Sequence, residues 1–318
     1  MKGFLARRFA YMVFTLFAAT VIVFGLSRMT GDPRLLYAKP GGYGITPEQY
    51  EALGKKLGLD KPLVVQYFMW LGRTLKGDLG ETLLDEAPVI QVVGEKFPNT
   101  LQLALAAILY AVLVGLPLGV VSAIKRGTVW DYIARSYALL GMALPQFWIG
   151  LMAILVVSVH LDWLPSGSRS LSGAFPLSWE NLKYFIMPAL ILGWLPAASF
   201  MRITRSAMLE ILDSESIKFA RAKGVRERTV IWKHAFKNSL IPPLTMVAIT
   251  LAGFLGGAVV VEQVFSWPGI GRLALQSIYN NDFPVLTACV LLFAILFAVT
   301  SFLADIGYAY VDPRIRYA

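Results

Sequence analysis

A single cysteine, Cys289, occurs in the 318 residues, and it lies inside an apolar run, so no disulfide within the chain can staple it or report on its redox compartment. Histidine is almost as scarce. His160 ends an apolar run and His234 lies in a basic segment, which leaves no ready metal cluster and no histidine-based triad. No Gly-x-x-x-x-Gly-Lys-Ser/Thr loop exists, so the chain has no cradle of this kind for nucleotide phosphates, and any ATP hydrolysis belongs to another polypeptide. Carboxylates are nearly missing from the apolar runs. Asp305, at the inner end of the last one, is the main exception, and it is expected to be hydrated at the helix end or paired with a basic residue. This inventory offers no catalytic, cofactor-binding or metal-binding residues, and it disfavours an intramembrane Ser/His protease.

What is abundant is apolar surface. Hydrophobic residues make up 57% and charged residues only 15%, with a mean hydropathy of +0.62, which is too apolar for a soluble domain of this length. Six runs are long enough, or nearly so, to cross a hydrocarbon core that takes about 20 helical residues. They are Phe9 to Ser27, Thr100 to Ile124, Ser136 to Leu161, Tyr184 to Met201, Asn238 to Val261 and Phe283 to Ala304. The expected fold is all-α, a polytopic bundle of six transmembrane helices in a lipid bilayer. The net charge of +9 suggests nucleic acid as a partner, but its distribution does not. Nine Lys and Arg fall in Arg202 to Lys237 and three in Lys125 to Arg135, against two in Asp162 to Lys183 and one in Glu262 to Asp282, the asymmetry of cytoplasmic against outer loops. Both termini are then expected in the cytoplasm, and no nucleic acid is expected. A basic start before an apolar stretch also fits a cleaved signal peptide, so a retained first helix is an expectation.

Arg28 to Asn99 is the sizeable polar segment. Thr46-Pro47-Glu48-Gln49 has the form of a capping box and Gly58 can end the helix it starts. Asp60 to Lys76 reads as a second helix with Leu63, Tyr67, Leu71 and Leu75 on one face, and Pro88 opens a third with Val89, Val92, Val93 and Phe97 on its apolar side. These are expected to lie against the outer face of the membrane. Residues 1–99 are therefore one unit, a helix plus interfacial helices, and residues 100–318 a five-helix core with a cytoplasmic loop at 202–237. Pro117, Pro145, Pro188, Pro196, Pro242 and Pro243 interrupt backbone ladders, and Gly115-x-x-x-Gly119 and Gly253-x-x-x-Gly257 permit close helix approach. An irregular, movable bundle follows.

Asp213 to Thr245 is a charged amphipathic island between two apolar segments. Asp213 is placed to cap a helix whose first turn carries Glu215, Gly224 sits where a left-handed cap is wanted, and a second helix follows from Glu227. A helix, a tight turn and another helix are expected, with a basic lipid-holding surface as the plainer alternative. Aligned on Gly224, Lys218-Phe219-Ala220 occupies the Glu-Ala-Ala position of the cytoplasmic loop signature found in permease subunits of bacterial ATP-binding-cassette importers. Ala220-Arg221-Ala222-Lys223-Gly224, His234-Ala235 and Asn238-Ser239-Leu240-Ile241-Pro242 resemble the dipeptide and oligopeptide branch of that family. So do Leu57-Gly58-Leu59-Asp60-Lys61-Pro62, Lys76-Gly77-Asp78-Leu79-Gly80, Pro145-Gln146-Phe147-Trp148-Ile149-Gly150 and the outer Glu262-Gln263-Val264-Phe265-Ser266-Trp267-Pro268-Gly269-Ile270-Gly271.

That resemblance implies a type I importer-like permease in a bacterial or archaeal cytoplasmic membrane. It is no enzyme itself and carries no cofactor. The implied partners are cytoplasmic ATP-binding subunits docked on the loop around Asp213, Lys218, Phe219, Ala220, Arg221 and Gly224, a second homologous permease, and an extracytoplasmic substrate-binding protein. Lys218 in place of the motif Glu departs from the pattern where an acid-dependent contact would lie. Residues Glu262, Trp267, Pro268, Gly269 and Gly271 form an outer-face turn in which Trp267 suits the membrane boundary, with a plain interfacial hairpin as the alternative. Glu262 or Asp282 near the outer mouth would at most favour a free amino terminus, unless both merely sit at solvated helix ends. Peptides are the implied cargo. Nickel, glutathione or sugar oligomers stay open within the family, and a self-contained channel or secondary transporter outside it.

Overall fold

The structure, a computed structural model, describes residues 2–29, 47–169, 179–255 and 258–311. Helices dominate, and among the described residues there is no strand, only one isolated antiparallel bridge between Glu81 and Pro88. Helix α1 (Lys2–Met29) is followed by two short helices, α2 (Pro47–Leu57) and α3 (Leu63–Leu75). Gly58 ends α2 at φ +67°, as its position suggests. The apolar face expected for the next helix is buried only at its middle. Gln66 and Tyr67 point inward while Leu63 and Leu75 are exposed, because α3 packs on α1 through Tyr67, whose hydroxyl meets Thr20 Oγ1 at 2.8 Å and whose ring lies 5.5 Å from that of Phe24.

Pro88 does start a helix, but not a short one. Helix α4 (Val89–Ile124) runs unbroken through Pro98 and Pro117, uniting the expected interfacial helix with the second span. Its 36 residues make roughly 54 Å, well over the ~30 Å hydrocarbon core, so it overshoots the membrane. Val89 and Val93, at the overshooting end, are buried with Ile270, Ala274 and Cys289. Helix α7 (Trp179–Leu212) is nearly as long and is the principal partner of α4. Small residues explain the closeness. A Cβ on Gly115 would stand 2.6 Å from the carbonyl of Ala197, and one on Gly119 would meet Thr204 Cβ at 2.6 Å, so only glycine permits this approach. Gly253 has open space around it and supports no such contact; Thr46 and Gly257 lie outside the described residues.

Prolines act unevenly. Pro188 and Pro196 lie inside α7 without breaking it, whereas Pro145 separates α5 (Val129–Ala143) from α6 (Gln146–Ala153), which widens into a π-helical stretch at Ile154–His160. The two limbs are bent by 105°. After the short α8 (Glu215–Ala222), a second broken element comprises α9 (Glu227–Thr229), a π-helical Val230–Phe236, α10 (Lys237–Ser239) and α11 (Ile241–Leu255), with a 47° bend before α11. The chain continues through α12 (Val259–Val264), α13 (Ile270–Tyr279) and α14 (Phe283–Val311). Among the described residues four helices are long and apolar enough to cross a membrane, and there are up to six spans if each bent pair counts as one. Asp305 finds a partner at the foot of the bundle, where Arg8 Nη1 approaches its carboxylate to 3.3 Å and ties α14 to α1.

A two-faced helix and a buried outer turn

Helix α8 is eight residues long, too short to persist alone, and tertiary contact supplies what propensity does not. Ile217, 1% exposed, inserts between Val120 and Ala123 of α4, Met208 of α7, and Val230 and Ala235. The opposite face is free. Phe219 is 62% exposed with Lys223 Nζ 4.4 Å above its ring, and Trp232 is exposed beyond the turn. Gly224 closes the helix at φ +74°. Its N–H donates to the carbonyl of Arg221 at 2.9 Å and that of Val225 to Ala220 at 3.2 Å, the paired bonds of a Schellman turn, while Val225 and Ala220 both rest on the same apolar cluster. Across the turn, Arg221 Nη2 donates to Glu227 Oε1 at 2.7 Å, and this hydrogen bonding holds the Glu227 carboxyl below its ordinary range. Lys218 bonds Glu215 at 2.7 Å on the solvent side.

Asp213 does not cap α8. Helix α7 runs on to Leu212, so the turn falls later and Ser214 takes the N-cap position without a side-chain capping bond. Asp213 stays exposed in the turn, its N–H bonded to the carbonyl of Leu209 at 3.1 Å. Of the island residues singled out in the sequence, Lys218, Phe219 and Arg221 are all exposed, with Phe219 opposite the buried Ile217, and Gly224 shapes the end of α8.

At the other end of the bundle, the Glu262 turn is an internal structure. Trp267 is fully buried, its ring 4.6 Å from that of Phe185 in an edge contact and its indole N–H donating to the carbonyl of Asn99 at 3.0 Å, so it is packed inside the protein and not presented at its surface. Asn99 Nδ2 returns a bond to the carbonyl of Pro268 at 2.8 Å. Glu262 is also fully buried. Its Oε1 accepts from the Thr100 hydroxyl at 2.7 Å and its Oε2 from the Arg272 N–H at 2.9 Å, while Thr100 Oγ1 in turn accepts the Ile270 N–H at 2.8 Å. Burial pushes the Glu262 carboxyl up from its ordinary range, against the pull of those donors. Gly269 and Gly271 are required beside it, since a Cβ on Gly271 would stand 2.8 Å from Val259 Cα and one on Gly269 would overlap the carboxylate itself. Asp282 is buried as well, its oxygens accepting the N–H groups of Leu83 and Val285 at 3.2 and 3.3 Å, which makes it a cap for α14. Both carboxylates are buried and neither sits at a solvated helix end, so neither is exposed to favour a free amino terminus.

The sequence reading missed a third group. Asp131 on α5, 1% exposed, is held by Arg205 of α7, Ser122 of α4 and the N–H of Gly127. An acidic residue in the first turn of α5 is its one visible trace in the sequence, where Arg205 reads only as a loop charge. Among the described residues no group of three His, Cys, Asp or Glu is arranged to hold a metal ion.

Long apolar helices, two broken spans and a short helix presented on the basic side define a polytopic helical membrane protein with the fold of an ATP-binding-cassette importer permease. The MetNI methionine ABC transporter, solved in inward-facing conformations, superposes with a TM-score of 0.57 at 18% identity, covering 70% of this chain and 97% of that one. The chain belongs to the family described as binding-protein-dependent transport system inner membrane components, whose model matches residues 115–317, with the N-terminal model of the same family matching residues 1–104. It is similar over its whole length to the oligopeptide transport system permease protein AppB of Bacillus subtilis, 37% identical with all of both chains covered. The dipeptide transport system permease protein DppB of Escherichia coli K12 is 36% identical, with 100% of this chain and 99% of that protein covered. The family implies ATP-binding subunits and a substrate-binding protein as partners, and a multi-pass place in the inner membrane.

Proposed function

We propose that this chain is one permease subunit of an importer for short peptides, paired in the membrane with a second, homologous permease. Peptide cargo is supported by the relatives named for oligopeptide and dipeptide transport, which match the chain from end to end. The observation that carries the mechanism is the two-faced build of α8. Its inner face is fixed to α4 and α7 by Ile217, and its outer face offers Phe219, with Lys223 over its ring, to a partner. Such a helix transmits a push as a rigid body, which a floppy loop cannot do. On this reading α8 docks on the ATP-binding subunit, both termini lie in the cytoplasm, and the binding protein delivers cargo at the side of the Glu262 turn. The division expected at residue 99 falls inside α4, so on this reading the peripheral unit is α1 to α3 and the core begins with α4 at Val89.

With the Glu262 and Asp282 carboxylates buried, cargo selection is assigned mainly to the binding protein. The test uses the whole complex in liposomes, with ATP on the side of the ATP-binding subunits and the binding protein on the other. ATP-driven accumulation of trialanine is expected. Accumulation of nickel or of a sugar oligomer, with none of any di- to pentapeptide, overturns the assignment.

A further inference from the structure

Motion received by α8 reaches α4 and α7 directly, because Ile217 is wedged between them and the glycine contacts hold those two helices together as one body. The third span is attached differently. Helix α5 is separated from α6 by the 105° bend, and it meets α7 near its start through small residues, with Ala134 and Ala138 packed on Ala198 and Met201, and further along through Tyr137 and Gly141 against the Trp194 ring. Non-directional contacts of this kind let one helix slide along another. Towards the middle of α5, Tyr137 adds neutral links, its hydroxyl 2.8 Å from that of Tyr110 and its carbonyl accepting Trp194 Nε1 at 3.3 Å. The charged link lies at the end nearest α8.

We propose that Asp131, Arg205 and Ser122 form the joint that makes α5 move with α8, so that they are positioning residues for coupling. The inference rests on α8 being the ATPase contact. Asp131 Oδ1 accepts the Ser122 hydroxyl and Arg205 Nε, the latter at 3.1 Å, and Oδ2 accepts Arg205 Nη2 at 3.2 Å and the Gly127 N–H at 3.0 Å. Ser122 Oγ also accepts Arg205 Nε at 2.8 Å. Three helices and the α4–α5 turn therefore converge on one buried carboxylate. Sliding α5 past α7 would leave that charge without its partner, a far larger penalty than shifting alanines. Displacement at the end of α7 is accordingly handed to α5 and not lost as shear between the helices. The consequence is that the bent third span answers the ATPase only while the joint is intact.

The variants are Asp131→Asn, which keeps the shape and removes the charge, Arg205→Lys, which keeps the charge and removes the fork, and Ser122→Ala, which keeps the ion pair. Each is reconstituted as the whole complex with trialanine as the probe. ATP hydrolysis is measured together with peptide accumulated, and spin labels at Leu139 of α5 and Ser216 of α8 report the distance between the two helices with and without ATP. In Asp131→Asn and Arg205→Lys we expect ATP hydrolysis to persist while peptide moved per ATP falls by about tenfold, a typical coupling factor, with a smaller fall in Ser122→Ala. The labelled distance should stay constant through the cycle in the unmutated complex and change in the first two variants. Unaltered peptide per ATP in Asp131→Asn at matched abundance overturns the joint, and so does a constant distance in that variant. Should the two charged-pair variants fail to assemble, Ser122→Ala decides, a wild-type ratio overturning the joint and a reduced one supporting it. Absence of ATP-driven trialanine accumulation in the unmutated complex would instead count against the transporter reading itself, so the two failures are distinguishable.

Discussion

Two substitutions on opposite faces of α8 should separate holding the helix in place from using it. Ile217→Ala removes most of a side chain that is 1% exposed, and large-to-small changes at such sites cost about 2–5 kcal/mol. Of the other supports, Ala220 and Val225 rest on the same cluster only at its edge, the exposed Lys218–Glu215 and Arg221–Glu227 pairs contribute together roughly 1 kcal/mol after solvent screening, and a helix of eight residues has little stability of its own. Local opening of α8 should therefore rise by roughly 30-fold to several thousand-fold, since each 1.4 kcal/mol is a factor of ten. Phe219→Ala takes away a side chain that is 62% exposed and should leave α8 folded. Limited trypsin digestion of the permease without its ATP-binding subunits reads the difference, because Lys218, Arg221 and Lys223 become cleavable only when the helix opens. Ile217→Ala should be cut much faster than wild type and Phe219→Ala at the wild-type rate, while both lose co-purification of the ATP-binding subunits. Equal trypsin resistance in Ile217→Ala and wild type would refute the packing argument, and full subunit retention by Phe219→Ala would refute the docking argument.

The turn after α8 is open to a similar test, because Gly224 has φ +74° and nothing nearby to clash with. Gly224→Val places a β-branched residue in a left-handed conformation and should weaken ATP-driven uptake at unchanged membrane abundance, and equal uptake would count against it. Orientation is checked with single cysteines at the exposed positions Ser216 and Ser166 in a Cys289→Ser background. An impermeant thiol reagent applied to intact cells should label 166 and spare 216, and the opposite result would invert the proposed topology.

Properties that depend on near neighbours in the chain were legible in the residues themselves. Apolar runs and scarce charge imply membrane helices whatever they pack against, because the bilayer is the larger solvent. Gly224 and Gly58 take the positive φ that their places after helical runs call for, since a glycine cap is a local device. The basic island likewise gave its helix–turn–helix order and, through Ala220 to Gly224 and Glu262 to Gly271, the family. Pairings between distant residues decided the rest. Pro88 reads as the start of a short helix, and only the contacts of Val89 and Val93 with α13 and α14 show why α4 runs on as one rod. Trp267 and Glu262 have the composition of a wet turn, yet both are buried because Asn99 and Thr100 come to them from the other end of the core, with Thr100 separated from Glu262 by 162 positions. Asp131 and Arg205 look like two loop charges and become one buried joint across 74 positions. Charge and periodicity along the chain describe how each segment meets its solvent, whereas the partner of a buried polar group is set by which helices approach closely enough to exclude water, and that depends on the whole bundle.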